Sequence, residues 1–219
     1  MIPKIFHQIW LGSQPMPEQH KVWSRTWLRF NPGWTLRLWK GQEELVLINQ
    51  EEFDTARHVV EQSDILRYEI VYRFGGCYID TDFECLRRFD WKLLTNEAFV
   101  GLERQERINN AILAAEPKHP WMEAAIQRLP LHRATHADKS VAERTGPDFL
   151  QAVTSGRRDV KIFPIHYFYS LSMKQAIEQR DENPPSLETD PLKANALKVD
   201  TATQAYARHH FALSWKKME

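Results

Sequence analysis

The sequence predicts one α/β domain in which helices flank a mixed, mostly parallel sheet. Short apolar segments of strand length alternate along the chain with longer segments whose apolar residues recur at helical spacing. This alternation is typical of parallel sheets, because a helix carries the chain back to the edge where the next strand begins. The 219 residues suffice for one well-packed core and are few for two, so we expect residues 1–219 to form a single domain.

The N-terminal third predicts two strands separated by a helix and followed by further helix. Residues 5–10 form an apolar run that we expect to be a buried first strand. Pro15 and Pro17 then favour the start of a helix, because proline is tolerated in a first turn. Residues 34–39 alternate as a strand does, and residues 41–62 are predicted to be helical with one interruption.

The next segment predicts a helix followed by a short buried strand. Ser63 is a candidate N-cap through its hydroxyl, which would place Asp64 in the first turn, where the helix dipole favours a negative charge. Gly75 and Gly76 are expected to end this helix, since glycine tolerates the backbone conformation found there. Residues 77–79 then read as a strand that ends at a pair of aspartates.

The remaining segments predict further helices and one edge strand. Residues 108–115 and 121–129 are expected to be helices, and the turn at 145–147 precedes another short helix. Residues 161–165 predict a strand that is either broken or at a sheet edge, because they contain a proline. Residues 181–198 are polar and contain prolines, so we expect a long surface loop.

Composition excludes several classes of function. The formal net charge is zero, so no broad cationic surface for nucleic acid is expected. No apolar run approaches the length of a transmembrane helix, and the N-terminus lacks a signal-peptide pattern. Cys77 and Cys85 are too few for a disulfide scaffold. These features predict a cytoplasmic protein without a transmembrane segment and leave peripheral membrane association open.

Asp80 and Asp82 are the first candidates for chemistry. Two carboxylates at the end of a buried strand repel each other and lose hydration, and a divalent cation removes both penalties. Carboxylate oxygens suit Mn²⁺ or Mg²⁺, and such a cation can neutralise a departing diphosphate. The acidic pair alone is weak support, because such pairs also occur by chance.

Two further groups of side chains accompany the acidic pair. Asp64 and Arg67 are three residues apart and so share one helix face, where they form either an ordinary surface ion pair or a sugar-binding pair. His209, His210 and Ser214 are plausible metal ligands beside a carboxylate. The alternative for this C-terminal run is a partly buried strand with surface histidines.

The motifs together resemble a known enzyme family. Ser-Asp-Ile-Leu-Arg-Tyr at 63–68 and Tyr-Arg-Phe-Gly-Gly-Cys-Tyr-Ile-Asp-Thr-Asp at 72–82 resemble the DXD-containing sugar-binding region of family 32 glycosyltransferases. Residues 2–12, 145–147 and 209–215 are similar to other segments of that family and follow in the same order. A more distant similarity extends to the glucosylating domains of large clostridial toxins.

This resemblance implies a GT-A fold, which is Rossmann-like, together with a UDP- or GDP-sugar donor, Mn²⁺ (or Mg²⁺) and retention of anomeric configuration. Trp10 would stack on the nucleobase. The expected catalytic residues are Asp64, Arg67, Asp80 and Asp82. The donor-binding candidates are His7, Gln8, Trp10, Asp64, Arg67, Asp80, Ser214 and Trp215. The metal-binding candidates are Asp80, Asp82, His209, His210 and Ser214.

Several of these assignments keep alternatives. A structural bond from His7 to the backbone is about as plausible as a ligand contact, and Asp80 could touch either the metal or the donor's ribose or sugar. The predicted reaction is transfer of a hexose to a glycan, a lipid-linked precursor, a protein or a small molecule. The alternatives are a nucleotide-sugar hydrolase, an inactive carbohydrate- or nucleotide-binding module, and a phosphohydrolase with an acidic pair. The last of these usually carries its aspartates after the first strand, where this sequence has His7 to Trp10.

Overall fold

A computed structural model of the chain describes residues 1–42, 45–171, 174–175 and 205–212. Its centre is a six-stranded sheet. In chain order, the strands of this sheet are β1 (Ile5–Ile9), β2 (Thr35–Trp39), β3 (Gly76–Ile79), β5 (Ala98–Arg104), β6 (Arg107–Ala115) and β7 (Lys161–Phe163). Two further strands, β4 (Phe83–Cys85) and β8 (Ala207–His209), form a separate antiparallel pair. The order across the main sheet is β2-β1-β3-β6-β5-β7.

The main sheet is mixed. β1 runs parallel to both β2 and β3, and β5 runs parallel to β7, whereas β6 is antiparallel to its neighbours β3 and β5. The helices are α1 (Glu18–Phe30), α2 (Gln50–Asp54), α3 (Val59–Phe74), α4 (Trp91–Leu94), α5 (Pro120–Thr135), α6 (Val141–Arg144) and α7 (Pro147–Thr154). The predicted fold class, a helix-flanked mixed sheet that is mostly parallel, is confirmed.

Apolar side chains form a core on each face of the sheet. One cluster joins α3, α5 and α7 to the sheet and includes Leu66, Trp121 and Phe149. The other lies beneath α1 and the β4–β8 pair and includes Trp27 and Phe83. Because both faces are covered, the inner strands are apolar along their length rather than alternating.

Gly76 lets the chain enter β3 at close range to β1. Its φ is +88°, a backbone conformation that residues with a Cβ rarely adopt, and a Cβ there would lie 2.6 Å from the carbonyl oxygen of Ile5. The helix that precedes β3 ends at Phe74, so the expected end of this helix at the two glycines is correct. This close approach sets the position from which β3 delivers the acidic pair.

The expected helix at residues 108–115 is wrong, because this segment lies in β6. β6 pairs with β3 through Ala115 to Ile112, and with β5 through residues 113–115 and 107–109 on either side of an irregularity, so neighbouring strands satisfy many of its backbone groups. Short apolar runs do not distinguish a buried strand from a buried helix, and here the long-range pairing decides.

The expected N-cap at Ser63 and the helix over 41–62 also need correction. α2 covers only Gln50–Asp54, and α3 begins at Val59 with His58 as its N-cap residue. Ser63 therefore lies inside α3, which starts earlier because Glu61 is held in its first turn. The carboxylate of Glu61 accepts the backbone N–H of Arg57 at 2.8 Å and lies 2.6 Å from Arg144.

The other expected elements lie close to where the sequence placed them. The helix predicted over 121–129 extends to Pro120–Thr135, and the turn at 145–147 leads into α7. β7 lies at a sheet edge, as expected, and ends at Phe163, directly before Pro164. The expected loop at 181–198 lies outside the described residues. Among the described residues, no helix combines the length and apolar composition that a membrane span requires.

Candidate active site

A cavity of about 660 Å³ opens at the carboxyl ends of β1 and β3. In sheets with parallel strands, ligands bind at this edge because the loops that leave neighbouring strands diverge there. The walls come from the first half of α3, the tip of the β5–β6 hairpin, residues 140–147 and the C-terminal segment near His209. The volume is within the range of small-molecule sites.

Arg67 connects two of the predicted carboxylates. Its guanidinium lies 3.1 Å from Asp64 Oδ1 and 3.5 Å from Asp80 Oδ1, and it donates a hydrogen bond to the carbonyl of Asn110 at 2.8 Å. The group also lies over the ring of Tyr78, 4.4 Å from its centroid. Arg67 is 4% exposed. Its charge therefore holds two buried or half-buried carboxylates in fixed positions.

The carboxylate of Asp64 is surrounded by hydrogen-bond donors. Oδ1 accepts from Asn110 Nδ2 at 2.8 Å, and Oδ2 accepts from the hydroxyl of Thr145 at 2.9 Å. Burial raises the pKa of Asp64 to about 6, although the charge of Arg67 and these two hydrogen bonds act in the opposite direction. Asp64 is thus an oriented carboxylate that takes up a proton at mildly acidic pH.

Asp80 is the more accessible member of the acidic pair. Its side chain is 30% exposed, and its Oδ1 accepts the phenolic hydrogen of Tyr78 at 2.6 Å. Burial raises the pKa of Asp80 and the nearby Asp82 adds to this effect, while Arg67 opposes it. Asp80 therefore presents a partly free carboxylate to the cavity.

Asp82 is bound to the C-terminal segment. Its Oδ1 lies 3.1 Å from His209 Nε2, and its Oδ2 accepts the backbone N–H of Ala212 at 2.9 Å. Burial alone would raise the pKa of Asp82, but His209 and these hydrogen bonds outweigh it and hold the pKa below its usual range. The pKa of His209 is raised in turn, because Asp82 outweighs burial.

Asp80, Asp82 and His209 form a cluster that fits a divalent cation. One oxygen from each carboxylate and one imidazole nitrogen all lie within 4.8 Å of one another. Carboxylate oxygen with imidazole nitrogen is a donor set that suits Mn²⁺ and also accepts Mg²⁺. His209 Nδ1 is buried and has no hydrogen-bond partner among the described residues.

The structure does not bring His210 into this cluster. His210 follows the last residue of β8, and its side chain contacts Glu84 and Trp23 rather than the carboxylate of Asp82. Its Nε2 lies 3.1 Å from Glu84 Oε2, and its ring stacks on Trp23 with centroids 4.1 Å apart. The candidates Ser214 and Trp215 lie outside the described residues.

Trp10 lies at the cavity, whereas His7 and Gln8 do not line it. His7 is buried in the core, where it accepts from Trp39 Nε1 at 3.2 Å and its Nε2 lies 3.0 Å from the carbonyl of Gly75. Burial lowers the pKa of His7 to about 4. Gln8 faces α1 and accepts the hydroxyl hydrogen of Ser24 at 2.7 Å.

Three contributors to this site were not identified from the sequence. Asn110 and Thr145 orient Asp64, and Tyr78 orients Asp80. Two consecutive asparagines within the segment at 108–115 are a signal that could mark Asn110, but the apolar pattern of that segment predicts a helix. Nothing in the local sequence links Thr145 to Asp64, since their contact depends on tertiary structure.

The sheet order, the acidic pair after β3 and the cavity beside it define a GT-A glycosyltransferase domain. Residues 17–100 match the family model described as the glycosyltransferase sugar-binding region containing DXD motif. Asp80-Thr81-Asp82 is the DXD motif within that range. The resemblance to this family of glycosyltransferases that the sequence motifs indicated is therefore confirmed.

Curated relatives support the same family. The chain is 29% identical over 166 residues to a mannosyl phosphorylinositol ceramide synthase of Saccharomyces cerevisiae, covering 70% of this chain and 42% of the relative. It is 32% identical over 162 residues to inositol phosphoceramide mannosyltransferase 1 of Schizosaccharomyces pombe, covering 68% of this chain and 50% of the relative. The matched part is thus half or less of these relatives' length.

Solved structures show the same fold. The PaToxG glycosyltransferase aligns with a TM-score of 0.57 at 18% identity, covering 70% of this chain and 69% of that chain. The UDP-bound glycosyltransferase domain from the YGT toxin aligns with a TM-score of 0.55 at 13% identity, covering 74% of this chain and 79% of that chain. The expected similarity to toxin glycosyltransferase domains is therefore confirmed at the level of the fold.

Proposed function

We propose that this protein is a metal-dependent, retaining glycosyltransferase that takes a hexose from a nucleotide-diphosphate sugar. The observation that carries this proposal is the cluster of Asp80, Asp82 and His209, whose ligand atoms lie within 4.8 Å of one another. The cluster lines the same cavity as Asp64 and Arg67. A cation at this cluster would neutralise the charge of the donor's diphosphate, and the neighbouring carboxylate–guanidinium pair would bind the attached sugar.

Asp80, Asp82 and His209 would hold the cation. When bound, a divalent cation supplies positive charge that neutralises the diphosphate as it departs. Asp80 is the member of the cluster with free surface, so it is also placed to accept a hydroxyl hydrogen from the donor's ribose or sugar. Trp10, which lines the cavity, is the candidate for stacking on the nucleobase.

Asp64 and Arg67 would orient the hexose. Their positions are fixed by Asn110 and Thr145, so the carboxylate needs little reorganisation when it accepts sugar hydroxyls. As the bond from the anomeric carbon to the diphosphate breaks, an oxocarbenium-like sugar develops beside the negative charge of Asp64. The acceptor hydroxyl attacks from the same face, and its proton passes to the departing diphosphate oxygen.

Mannose is the first hexose to test. One relative is named as an inositol phosphoceramide mannosyltransferase, and another as a mannosyl phosphorylinositol ceramide synthase. One structural neighbour was solved with UDP bound. GDP-mannose and UDP-hexoses are therefore the leading donors. A hydroxyl of a glycan or a glycolipid headgroup is the proposed acceptor.

Thermal unfolding with Mn²⁺ and a panel of nucleotide sugars tests this function directly. A donor at a hundred times its dissociation constant adds about 2.7 kcal/mol to the free energy of unfolding, which gives a clear shift in melting temperature. A chelator should abolish the shift. Lack of any shift with all GDP- and UDP-sugars, from a well-folded sample, would refute donor binding.

Replacement of Asp82 tests the site within the same assay. Asp82→Ala should remove both the Mn²⁺-dependent shift and hexose transfer, because the cluster loses a carboxylate. Asp54→Ala is the matched control, since Asp54 is an exposed aspartate that bonds only to Gln50 among the described residues. Normal turnover by Asp82→Ala with saturating Mn²⁺ would show the mechanism to be wrong. Product analysis with and without acceptor separates transfer from hydrolysis.

A further inference from the structure

The tip of the β5–β6 hairpin carries two arginines that the proposed donor site does not use. Arg104 on β5 and Arg107 on β6 are directly opposite each other in the antiparallel register, so their side chains share one face of the hairpin. Both line the cavity. The hairpin therefore gives this wall of the cavity two neighbouring guanidinium groups.

These two cations are only partly neutralised by the protein. Arg107 Nη2 lies 2.7 Å from Asp148 Oδ1, whereas its Nε is buried without a hydrogen-bond partner among the described residues. The side chain of Arg104 is exposed and forms no hydrogen bond or ion pair with the part of the chain that the structure describes, although its charge acts on the nearby Asp148. Like charges directly opposite in a sheet are destabilising, so this pair favours a bound anion.

The backbone positions of the arginines lie farther along the cavity wall than the carboxylate–guanidinium pair of Asp64 and Arg67. Asn110 bonds to Asp64, and Arg107 lies three residues before it on the same strand, a distance of about 10 Å at the rise of a β-strand. Between these two positions, Asn109 donates a hydrogen bond to Glu103 at 3.0 Å, and both residues line the cavity. Along this wall of the cavity, the carboxylate of Asp64 is followed by the hydrogen-bonded side chains of Asn109 and Glu103. The guanidinium groups of the two arginines come after them.

We propose that Arg104 and Arg107 bind a phosphate of the acceptor, which makes the acceptor a polyol or sugar phosphate, either free or as a lipid headgroup. This inference rests on the proposed function, in which the cation cluster holds the donor's diphosphate and leaves the arginines for a second anion. Guanidinium groups bind phosphate oxygens through paired, charge-assisted hydrogen bonds. The polyol would then lie against Glu103 and Asn109, with a hydroxyl directed at the donor sugar beside Asp64.

Calorimetric binding without donor tests the subsite. The probes are inositol 1-phosphate, glycerol 3-phosphate and mannose 6-phosphate, each compared with its neutral parent. We expect at least one phosphate to bind about tenfold more tightly than its parent, and Arg104→Gln to remove about tenfold of that affinity, as expected for loss of charge-assisted hydrogen bonds. Arg158→Gln, which removes an exposed arginine outside the cavity, should leave the affinity unchanged.

Further experiments test whether the phosphate belongs to a free molecule or a lipid, and whether the variant protein remains folded. Vesicles that contain phosphatidylinositol, compared with phosphatidylcholine vesicles, show whether the headgroup is also bound when it belongs to a lipid. Arg104→Lys keeps the charge and should retain part of the affinity, which distinguishes loss of the phosphate contact from general damage. Thermal unfolding of each variant verifies that it is folded.

Several results would overturn the inference. These are equal affinity for phosphates and neutral parents, no binding of any phosphate, or unchanged phosphate affinity in Arg104→Gln. Displacement of the polyol phosphate by a nucleoside diphosphate would place the anion in the donor site and would also refute it. Failure of the proposed function gives a different pattern, in which no nucleotide sugar binds with Mn²⁺ while the polyol phosphate still binds through Arg104.

Discussion

The hydroxyl of Thr145 donates a hydrogen bond to Oδ2 of Asp64 at 2.9 Å, across 81 residues of sequence. The carbonyl of Thr145 in turn accepts the phenolic hydrogen of Tyr68 at 2.8 Å, so the turn before α7 is attached to α3 at two points. Asp64 is only 3% exposed, so these contacts with the protein supply most of its hydrogen bonds. The geometry of the carboxylate is consequently fixed by the fold before any ligand enters.

Replacing Thr145 by valine should impair both stability and donor use. The substitution keeps the side-chain shape but leaves Oδ2 of a buried carboxylate without its donor, which costs about 1–3 kcal/mol in free energy of unfolding at neutral pH. It also removes a hydrogen bond that lowers the pKa of Asp64, so the midpoint of the acidic limb of the pH–rate profile should rise.

Thr145→Ser is the matched control, because it restores the hydroxyl while removing a methyl group. Chemical denaturation and a pH profile of hexose transfer measure the two effects. A pH midpoint that is identical in Thr145→Val, Thr145→Ser and the unchanged protein would show that this hydrogen bond does not tune Asp64.

Asp64 should also make stability depend on pH between about 4 and 6. Burial raises its pKa from 3.8 to about 6, so within this window the folded protein binds a proton that the unfolded chain has released. The free energy of unfolding therefore falls as pH rises through the window, by on the order of 3 kcal/mol from this group. Hexose transfer should show the opposite trend, because the ionised carboxylate is the better hydrogen-bond acceptor.

The comparison with Asp64→Asn isolates this contribution. Denaturation of both proteins at pH 4, 5, 6 and 7, in chelator, cancels the titration of groups common to the two. The stability of the unchanged protein relative to Asp64→Asn should decline across the window and then level off. A constant difference across the four pH values would mean that burial does not shift Asp64.

Alanine replacements at the two adjacent histidines should have unequal effects on metal binding. His209→Ala removes the imidazole that lies within the cluster of ligand atoms, so Mn²⁺ affinity should fall by at least about tenfold. His210→Ala disturbs only contacts with Glu84 and Trp23 and should leave Mn²⁺ affinity nearly unchanged. Titration calorimetry with Mn²⁺ measures both, and equal losses in the two variants would contradict the cluster as described.

Gly76→Ala should be among the most destabilising single changes at the site. The new Cβ would combine a positive φ of +88° with a 2.6 Å approach to the backbone oxygen of Ile5, which cannot move without disturbing β1. We expect a loss of about 3 kcal/mol or more in the free energy of unfolding. Gly12→Ala is the matched control.

Gly12 has a comparable φ of +96°, but a Cβ there would meet nothing within 4 Å. Gly12→Ala should therefore cost only the backbone strain, about 1–2 kcal/mol. Denaturant titration of the two variants separates strain from steric overlap. A loss in Gly12→Ala as large as in Gly76→Ala would contradict the close approach of β3 to β1.

The parts of the site that the sequence predicted depend on local pattern. β3 is a short apolar run, and Gly75-Gly76 marks the end of α3, so the position of Asp80 and Asp82 after a buried strand followed from neighbouring residues. The pairing of Asp64 with Arg67 followed from helical spacing, although the helix begins earlier than expected.

The parts that the sequence did not predict depend on pairing between distant segments. Asn110 reaches Asp64 only because β6 lies beside β3, and an apolar run such as 107–115 does not specify whether it pairs as a strand. The separation of His209 from His210 depends on the pairing of β8 with β4, which places His209 opposite Phe83 and ends before His210. His7 was ambiguous because a buried strand gives no sign of which polar side chain faces the core.

The separation of 127 positions between Asp82 and His209 also sets the order in which the site can be assembled. During synthesis, the main sheet from β1 to β7 can be complete while His209 is still within the ribosome. In a chain of that intermediate length, Asp82 lacks both the imidazole of His209 and the backbone N–H of Ala212. Metal affinity would then be acquired late and abruptly, when residues 205–212 add β8 alongside β4. A nascent chain would be kept from trapping a cation, or a nucleotide sugar, before the enzyme is able to use it.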